Sequence, residues 1–479
     1  MSKLNATDIQ GFVLRGYNMP FARYCFLHFT GAKPARVLIG KLLGEITTGQ
    51  LWDQGKPQST VNIAFTFKGL IALELPIATL ISFPVEFQQG MKARGGILGD
   101  SGVNAPEHWD PLWREDSPES EIHAWLAINA QSPQALESRS ASLQALLAET
   151  GGARILDSQD AASIVLDGKV TTKEHFGYTD GFGNPDYLGI CRSTQPGQGK
   201  LMPDGSWAPL ATGELLLGYA DEAGELPVAP VPHLLASNGT FMVYRKLHQN
   251  VGTFHRFLNE WSARYGAGDA AAKEKLASKF IGRWPDGTPI EASPERPDQA
   301  IVNDPNRSTN FTYGNDANGS RCPIGAHIRR VHPRDAFGFQ GRLVNRRRIT
   351  RRGLPYGPYA TPGDLNALEH DSACQSLDRV DRGVVFMALN ASISRQFEFV
   401  QQQWINYGND AHVGNEKDPL IGNHGPTEKY VIQGDTSPAN PPLICTHLPN
   451  FVELRGGDYF FLPSMTALGM IAMNLVDPR

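Results

Sequence analysis

An aspartate between glycines is the first group in the chain with the chemistry of a functional site. Asp180 lies in the segment Phe176–Pro185, among Gly177, Gly181 and Gly183. Glycines in such a segment let the backbone approach a bulky planar group closely. A structural hairpin turn, in which the carboxylate only accepts a local hydrogen bond, is the alternative interpretation.

The second group is a histidine. His327 follows the small and apolar run Cys322–Ala326 and begins a stretch compatible with a helix. Neutral imidazole is the commonest protein ligand of transition metals, iron among them. The sequence therefore offers His327 as a metal ligand, although most histidines are ordinary core or surface residues. His332 is the nearest competitor, but it precedes Pro333.

The third feature is a block of arginines. Arg321–Arg352 contains ten arginines, no lysine and a single acid, Asp335. Exclusive use of arginine favours bidentate or buried recognition of carboxylates and phosphates over a solvated surface. The two propionates of haem would suit such a block, and a phosphorylated ligand is the alternative. The block ends at Arg351–Gly357, which we read as a turn that aims one guanidinium into a pocket.

Three segments that carry these residues resemble the dye-decolourising peroxidases, a family of haem enzymes. They are Gly177–Gly181, Cys322–Arg330 and Ile349–Gly357, and their order along the chain matches the family. Further similarity runs through Phe67–Leu70, Phe83–Phe87, Arg382–Phe386 and Gly456–Pro463, so that the likeness extends from about Ile9 to Ala472. The length and the long insertions resemble the larger, non-exported subfamilies.

The resemblance implies a role for each group. His327 would be the proximal iron ligand, Asp180 the distal acid–base residue and Arg351 the distal arginine. The remaining cofactor contacts would be Arg334, at a propionate, and Val384 and Phe386, on the apolar distal face. The family usually gives the proximal histidine a polar partner, for which Asn390 and Glu398 both remain open.

The implied activity is that of a haem peroxidase. Such an enzyme reduces hydrogen peroxide and oxidises phenolic or dye-like donors one electron at a time, through a ferryl intermediate. The cofactor would be haem b, one per chain, and a homodimer is compatible with the resemblance. Trp404 and Tyr359 are candidates for relaying electrons from surface-bound donors. The alternatives are a haem carrier without turnover and a non-haem α+β enzyme that binds a phosphorylated ligand.

Two sets of alternating strands and amphipathic helices must position these residues. The first set places strands before and after two helices, in the order strand, helix, strand, strand, helix, strand. Its segments are Tyr24–Thr30, Ala32–Thr47, Thr60–Phe67, Glu121–Asn129, Ser132–Thr150 and Ala153–Asp157. This pattern predicts an α+β fold in which helices pack on an antiparallel sheet.

A similar pattern returns in the second half of the chain. Its segments are Gly239–Leu247, Asn250–Tyr265, Gly383–Asn390, Ser394–Asn406, Tyr459–Pro463 and Met465–Val476. We therefore predict two ferredoxin-like domains, residues 1–190, which contribute the loop of Asp180, and residues 191–479, which hold most of the haem. Long insertions at Gln195–Leu210, Asp286–Asn318 and Asn409–Asn440 are predicted to be ordered and to cover the cofactor.

Composition excludes several other classes of protein. The formal net charge of -5 is unlike that of a general nucleic-acid binder. The five cysteines are widely separated and form no CxxC pair, which argues against a disulfide framework or a zinc ribbon. The most apolar stretch, Leu70–Phe87, is interrupted by Glu74 and two prolines, and the first residues lack an apolar export signal. We expect a cytoplasmic protein with no nucleic-acid or membrane partner.

Overall fold

A sheet of eight antiparallel strands forms the centre of the computed structural model, which describes residues 4–53, 55–338, 341–366, 368, 371–434 and 441–477. The strands are β1 (Phe21–Phe29), β2 (Ser59–Phe65), β3 (Ala124–Ala130), β4 (Ala153–Ala162), β5 (Val165–Leu166), β6 (Lys169–Val170), β7 (Lys200–Leu201), β8 (Trp207–Ala208), β9 (Thr240–Gln249), β10 (Thr350–Tyr356), β11 (Gly383–Asn390), β12 (Lys429–Ile432), β13 (Leu443–Thr446) and β14 (Val452–Leu462). In the central sheet they lie in the order β10-β11-β9-β14-β2-β3-β1-β4. The pairs β5–β6, β7–β8 and β12–β13 form separate two-stranded sheets.

Short and long α-helices lie before, between and after these strands. They are α1 (Gly11–Leu14), α2 (Ala32–Leu42), α3 (Phe67–Ala72), α4 (Ile77–Leu80), α5 (Val85–Ala93), α6 (Gly95–Leu98), α7 (Pro111–Arg114), α8 (Pro133–Thr150), α9 (His233–Ala236), α10 (Val251–Tyr265), α11 (Ala270–Ile281), α12 (Gln299–Val302), α13 (His327–Val331), α14 (Arg342–Asn345), α15 (Pro362–Asn366), α16 (Asp371–Asp378) and α17 (Met465–Ala472). A further helical segment with π-type hydrogen bonding covers Ser394–Glu398 and Val400–Ile405.

Each half of the central sheet has ferredoxin-like connectivity. In the first half, β1-α2-β2-β3-α8-β4 gives the spatial order β4-β1-β3-β2. In the second half, β9-α10-β10-β11, the π-type helix and β14 give the equivalent order β14-β9-β11-β10. The predicted α+β fold with two ferredoxin-like halves is therefore confirmed. The domain boundary after residue 190 stays a prediction.

The two halves meet where β14 runs beside β2, with Phe461 opposite Phe65. Side chains from both halves join one apolar core there, in which Phe65, Phe241 and Phe461 are fully buried. Alternate residues of β11 point to opposite faces of the sheet, so that Val385 and Met387 enter this core. Val384 and Phe386 face the other way and line a cavity.

The segment of Arg351 corrects one expectation. Arg351–Gly357 was predicted to be a turn because it contains Gly353 and Pro355, but Thr350–Tyr356 is strand β10. Proline is tolerated there because β10 is an edge strand of the sheet. Gly353 is needed at its position, because its φ is 146° and a Cβ atom would lie 2.0 Å from the Val385 carbonyl oxygen.

The long insertions contain short elements. Gln195–Leu210 includes β7 and β8, and Asp286–Asn318 includes α12. The third insertion, Asn409–Asn440, contributes β12, while its residues 435–440 lie outside the described residues. Among the described helices, none has the length and apolar character required to cross a bilayer.

Candidate functional site

All six residues predicted to form the site line one cavity on the far side of the second half-sheet from the core. They are Asp180, His327, Arg334, Arg351, Val384 and Phe386. Strands β9, β11 and β14 form an apolar wall that includes Leu247 and Leu454. The opposite side includes Ile328 of α13 and Ile405 of the π-type helix. The fold thus gathers residues that are up to 206 positions apart in the chain, from Asp180 to Phe386.

The loop of Asp180 is shaped by its glycines. Gly177, Gly181 and Gly183 have φ angles of 95°, 99° and 78°, a region that favours glycine. The backbone N–H of Asp180 donates to the Thr172 carbonyl oxygen at 2.8 Å. The carboxylate also makes the local hydrogen bond expected of a structural turn, because Asp180 Oδ1 accepts the Gly181 N–H at 2.6 Å. The carboxylate therefore stabilises the turn and still faces the cavity.

Arg351 forms an ion pair with this carboxylate. Its Nη1 donates to Asp180 Oδ1 at 2.9 Å, and its Nη2 donates to the Phe182 carbonyl oxygen at 2.7 Å. Burial tends to raise the pKa of Asp180, but the charge of Arg351 and the Gly181 N–H outweigh it, so that the pKa lies below its usual value. Asp180 is consequently ionised into the acidic range.

The strand geometry of β10 separates Arg351 from its neighbour. Arg351 is paired with Ala388 of β11. Phe386 lies two residues before Ala388 on the same strand, so Arg351 and Phe386 are on the same face of the sheet, the one that borders the cavity. Arg352 points to the opposite face, where its Nε and Nη2 donate to the carbonyl oxygens of Phe12 and Val13. Only the first of the two adjacent arginines can reach the cavity.

His327 begins helix α13 and has a carboxylate partner. Its Nδ1 lies 2.9 Å from Asp418 Oδ2, and Asp418 is fully buried. The other oxygen, Oδ1, accepts the N–H groups of Leu420 and Ile421. Burial raises the pKa of Asp418, but His327 and these hydrogen bonds outweigh it and leave the pKa below its usual value. An ionised Asp418 keeps the proton of His327 on Nδ1, so that Nε2 has a free lone pair.

Both residues considered as the histidine's partner are elsewhere. Glu398 accepts two hydrogen bonds from Arg94 and one from the hydroxyl of Tyr459. The side-chain amide of Asn390 donates to the Ala388 carbonyl oxygen. Asp418 was missed because it lies 91 residues beyond His327, in a long insertion where spacing gives no signal.

Buried arginines form the basic wall of the cavity. Arg283, Arg334 and Arg348 donate to backbone carbonyl oxygens, and in the described part of the chain none has a carboxylate within 4.0 Å. Burial, together with the charge of Arg334, lowers the pKa of Arg283 and Arg348 to about 9. Nη1 of Arg348 is buried and has no partner among the described residues.

This wall fits the predicted internal anion. A buried arginine without a carboxylate partner destabilises the folded protein unless an anion binds beside it. A planar apolar group with two carboxylates, such as haem, would supply that charge and match the apolar faces. Arg334 was anticipated for this role, whereas Arg348 and Arg283 were not. Arg348 could have been found from the all-arginine block, and Arg283 lies outside it.

The two relay candidates differ in position. Trp404 is 4% exposed, and its Nε1 donates to Asp410 Oδ2 at 3.2 Å. Tyr359 is half-buried, and its ring stacks 6.1 Å from that of His175, beside the loop of Asp180. Tyr359 therefore lies beside the loop of Asp180, whereas Trp404 packs with Val400 and Ile405, two apolar residues that line the cavity.

Comparison with known sequences finds dye-decolorizing peroxidases. The family model for the DyP dimeric alpha+beta barrel domain matches residues 8–156. The chain is 29% identical over 483 residues to the dye-decolorizing peroxidase msp1 of Mycetinis scorodonius, covering 97% of this chain and 87% of that protein. It is 32% identical over 311 residues to the multifunctional dye peroxidase DyP2 of Amycolatopsis sp. (strain ATCC 39116 / 75iv2), covering 62% of this chain and 60% of that one.

Solved structures agree with this relationship. An ancestral D-type dye decolorizing peroxidase superposes with a TM-score of 0.81 at 29% identity, over 98% of this chain and 99% of the other. A dye-decolorizing peroxidase in complex with 2,6-dimethoxyphenol superposes with a TM-score of 0.80 at 26% identity, over 98% and 100% of the two chains. The shared architecture therefore extends along nearly the whole chain.

The fold and the cavity define a haem-dependent peroxidase. Histidine with an aspartate partner suits the iron, and the aspartate–arginine pair suits peroxide. The chain is similar to dye-decolourising peroxidases along nearly its whole length.

Proposed function

We propose that this enzyme reduces hydrogen peroxide beside Asp180 and Arg351 and oxidises phenolic or dye-like donors one electron at a time. The observation that carries the proposal is the ion pair of these two residues on the cavity that also contains His327. The complex of a related peroxidase with 2,6-dimethoxyphenol supports a phenolic donor. A haem carrier would have no use for the ion pair.

The cofactor is proposed to be haem b, one per chain. His327 offers Nε2 to the iron, while Asp418 fixes the orientation of the ring. Arg334 and Arg348 would pair with the propionates, and Val384 and Phe386 would contribute apolar contacts to the ring, because all four line the cavity. The bound haem supplies the redox chemistry of peroxide cleavage and donor oxidation. Mass spectrometry of the extracted cofactor and the ratio of haem to protein test its type and stoichiometry.

Asp180 and Arg351 have different roles in the reaction with peroxide. Ionised Asp180 accepts one proton from peroxide and returns it to the oxygen that departs as water. Arg351 stabilises the negative charge that develops on the peroxide oxygens. Because the pKa of Asp180 is held below its usual value, the base form persists into acidic solution. The peroxide step should therefore remain active well below neutral pH.

The decisive experiment removes the proposed iron ligand. His327→Ala should lose the Soret absorbance of the purified, haem-supplemented protein, whereas His108→Ala, at an exposed histidine, should keep it. Retention of the normal spectrum and haem content by His327→Ala would refute this assignment. Absence of any Soret band in the unaltered protein would instead favour the phosphorylated-ligand alternative.

A homodimer is our proposal for the assembly. The apolar side chains of Ile77, Ile81 and Val228 are 76%, 68% and 69% exposed. The two segments adjoin, because the Val231 N–H donates to the Ser82 hydroxyl at 2.9 Å. Exposed apolar clusters of this kind mark interaction surfaces. Sedimentation equilibrium should give a dimer that Ile81→Glu weakens, and a monomeric unaltered protein would exclude the proposal.

We place the enzyme in the cytoplasm, as in the larger, non-exported subfamilies of dye-decolourising peroxidases. All five cysteines are free thiols in the structure. Cys25, Cys322, Cys374 and Cys445 are buried, and Cys191 is partly buried. Free cysteines suit a reducing compartment. Recovery of the activity in the cytosolic fraction of the source cells, rather than outside them, is the expected result.

A further inference from the structure

A second carboxylate, Glu174, lies on the cavity wall six residues before Asp180. Its Oε2 accepts the N–H of Phe176 and its Oε1 accepts the N–H of Tyr178, both at 2.9 Å. The backbone of Glu174 also exchanges hydrogen bonds with this segment, because its N–H donates to Tyr178 and its carbonyl oxygen accepts from Gly177. The carboxylate therefore closes the turn that leads to Asp180.

The same carboxylate fastens this turn to the central sheet. The Gln249 side-chain amide donates to Glu174 Oε2 at 2.5 Å. Gln249 is the last residue of β9, where it pairs with Val452 and its N–H donates to the Arg382 carbonyl oxygen. Gln249 is thus held by a rigid element, and it transmits that position to the turn through Glu174.

A lysine anchors the opposite side of the loop. Lys173 Nζ donates to the carbonyl oxygens of Gly177 and Pro285 at 2.6 and 2.9 Å. Asp180 then follows the anchored turn within two residues of Tyr178. Because its glycines give the loop little stiffness of their own, these anchors contribute to the position of Asp180 relative to Arg351, together with the backbone bond from Asp180 to Thr172.

We propose that Glu174 is a positioning residue that, with Gln249, holds Asp180 in contact with Arg351. This inference rests on the proposed role of Asp180. All three donors face an oxygen of Glu174, so a carboxylate fits and an amide does not. In Glu174→Gln, the NH2 group would confront the N–H of either Phe176 or Tyr178. The turn would lose at least one of its closing bonds.

The expected consequence is specific to the peroxide step. A displacement of about 1 Å at a reacting group costs on the order of 10²-fold in rate. Glu174→Gln should therefore slow the reaction with peroxide by about 10²-fold. It should also move the acidic limb of that step to higher pH, because the looser contact with Arg351 raises the pKa of Asp180 by more than removal of the nearby Glu174 charge lowers it. Gln249→Ala removes the fastening but spares the turn, and should cause a smaller loss.

The matched control is Asp378→Asn. Asp378 also accepts two backbone N–H groups, those of Gly252 and Thr253, but it does so at the start of α10, away from the loop. Its substitution should leave the rate and pH profile of the peroxide step nearly unchanged. Equal losses in Asp378→Asn and Glu174→Gln would show a general effect of removing a hydrogen-bonded carboxylate and would overturn the proposal.

Amide hydrogen exchange provides a readout independent of turnover. Glu174→Gln should speed exchange of the Phe176 and Tyr178 amides in the full-length protein with and without haem. Asp180→Asn separates the two levels of inference. If Asp180→Asn retains the peroxide rate, the proposed function of Asp180 fails. If Asp180→Asn loses the rate and Glu174→Gln keeps both rate and pH profile, the positioning role of Glu174 is wrong.

Discussion

Replacing Asp418 by asparagine should reverse the tautomer of the proposed iron ligand. Asp418 Oδ1 accepts two N–H groups, from Leu420 and Ile421, at 2.9 and 3.0 Å. An asparagine keeps those bonds only if its carbonyl oxygen takes the place of Oδ1. Its NH2 group then faces His327 Nδ1, which must become the acceptor. The ring proton moves to Nε2, the nitrogen required by iron.

The size of the effect follows from the contact that is lost. The 2.9 Å contact between His327 and the fully buried Asp418 is the support that orients a ligating imidazole. Loss of such a partner typically costs 10–100-fold in metal affinity or activity. This corresponds to about 1.4–2.8 kcal/mol of binding free energy. Asp418→Asn should therefore bind haem about 10–100-fold more weakly than the unaltered protein.

Transfer of haem to apomyoglobin measures this loss. Asp418→Asn should release haem faster than the unaltered protein, and its reduction potential should rise because the anionic partner of the imidazole is gone. Asp410→Asn is the matched control, because Asp410 is exposed and accepts a hydrogen bond from Trp404. If both variants retain haem equally well and have the same potential, the reasoning about Asp418 is wrong.

Three further predictions concern the peroxide step and donor oxidation. Arg351→Leu should slow the peroxide step by about 10²–10³-fold and shift its acidic limb to higher pH, whereas Arg352→Leu should change neither, as stopped-flow spectroscopy would show. Asp180→Asn should lose the peroxide step with its haem spectrum intact, and normal reactivity at every pH would leave the carboxylate only its turn-closing role. Tyr359→Phe should lower turnover of a bulky dye without affecting the peroxide step, and Trp404→Phe tests the second relay candidate, whose ring packs with the cavity-lining residues Val400 and Ile405, in the same way.

The strands and long helices could be predicted because their periodicity is local. On β11, alternation alone separates Val385 and Met387, which enter the core, from Val384 and Phe386, which line the cavity. Strand β10 could not be recognised, because Gly353 and Pro355 are turn residues in isolation. Their acceptance in a strand depends on the edge position that the whole sheet gives to β10.

In the candidate site too, residues with a local sequence signal could be predicted, and a residue that depends on long-range contacts could not. Asp180, His327 and Arg351 lie in segments with recognisable local composition, and the structure brings all three to one cavity. Asp418 has no such signal, because its partnership with His327 depends on how a long insertion folds back over α13. Long-range contacts between a short helix and an irregular loop leave no periodic trace in a sequence.

The basic wall makes a last prediction about the protein without its cofactor. Arg348 is buried, donates to the Gly183 carbonyl oxygen and has an unpartnered Nη1 among the described residues. Its pKa is lowered by burial to about 9, which means that folding disfavours its charged form. The resulting destabilisation is fully present below pH 9 and disappears as the pH rises towards the value of the unfolded chain.

Arg348→Met should therefore have opposite effects on the two forms of the protein. Replacing a buried charge by an apolar side chain of similar length should stabilise the haem-free protein at neutral pH, by on the order of 1 kcal/mol or more. The same change should weaken haem binding, because a propionate loses its counter-charge. Thermal unfolding with and without haem measures both effects, with Arg342→Met as a control at an exposed arginine. If Arg348→Met destabilises the haem-free protein and leaves haem affinity unchanged, then Arg348 stabilises the fold through its hydrogen bond to Gly183 and does not bind a propionate.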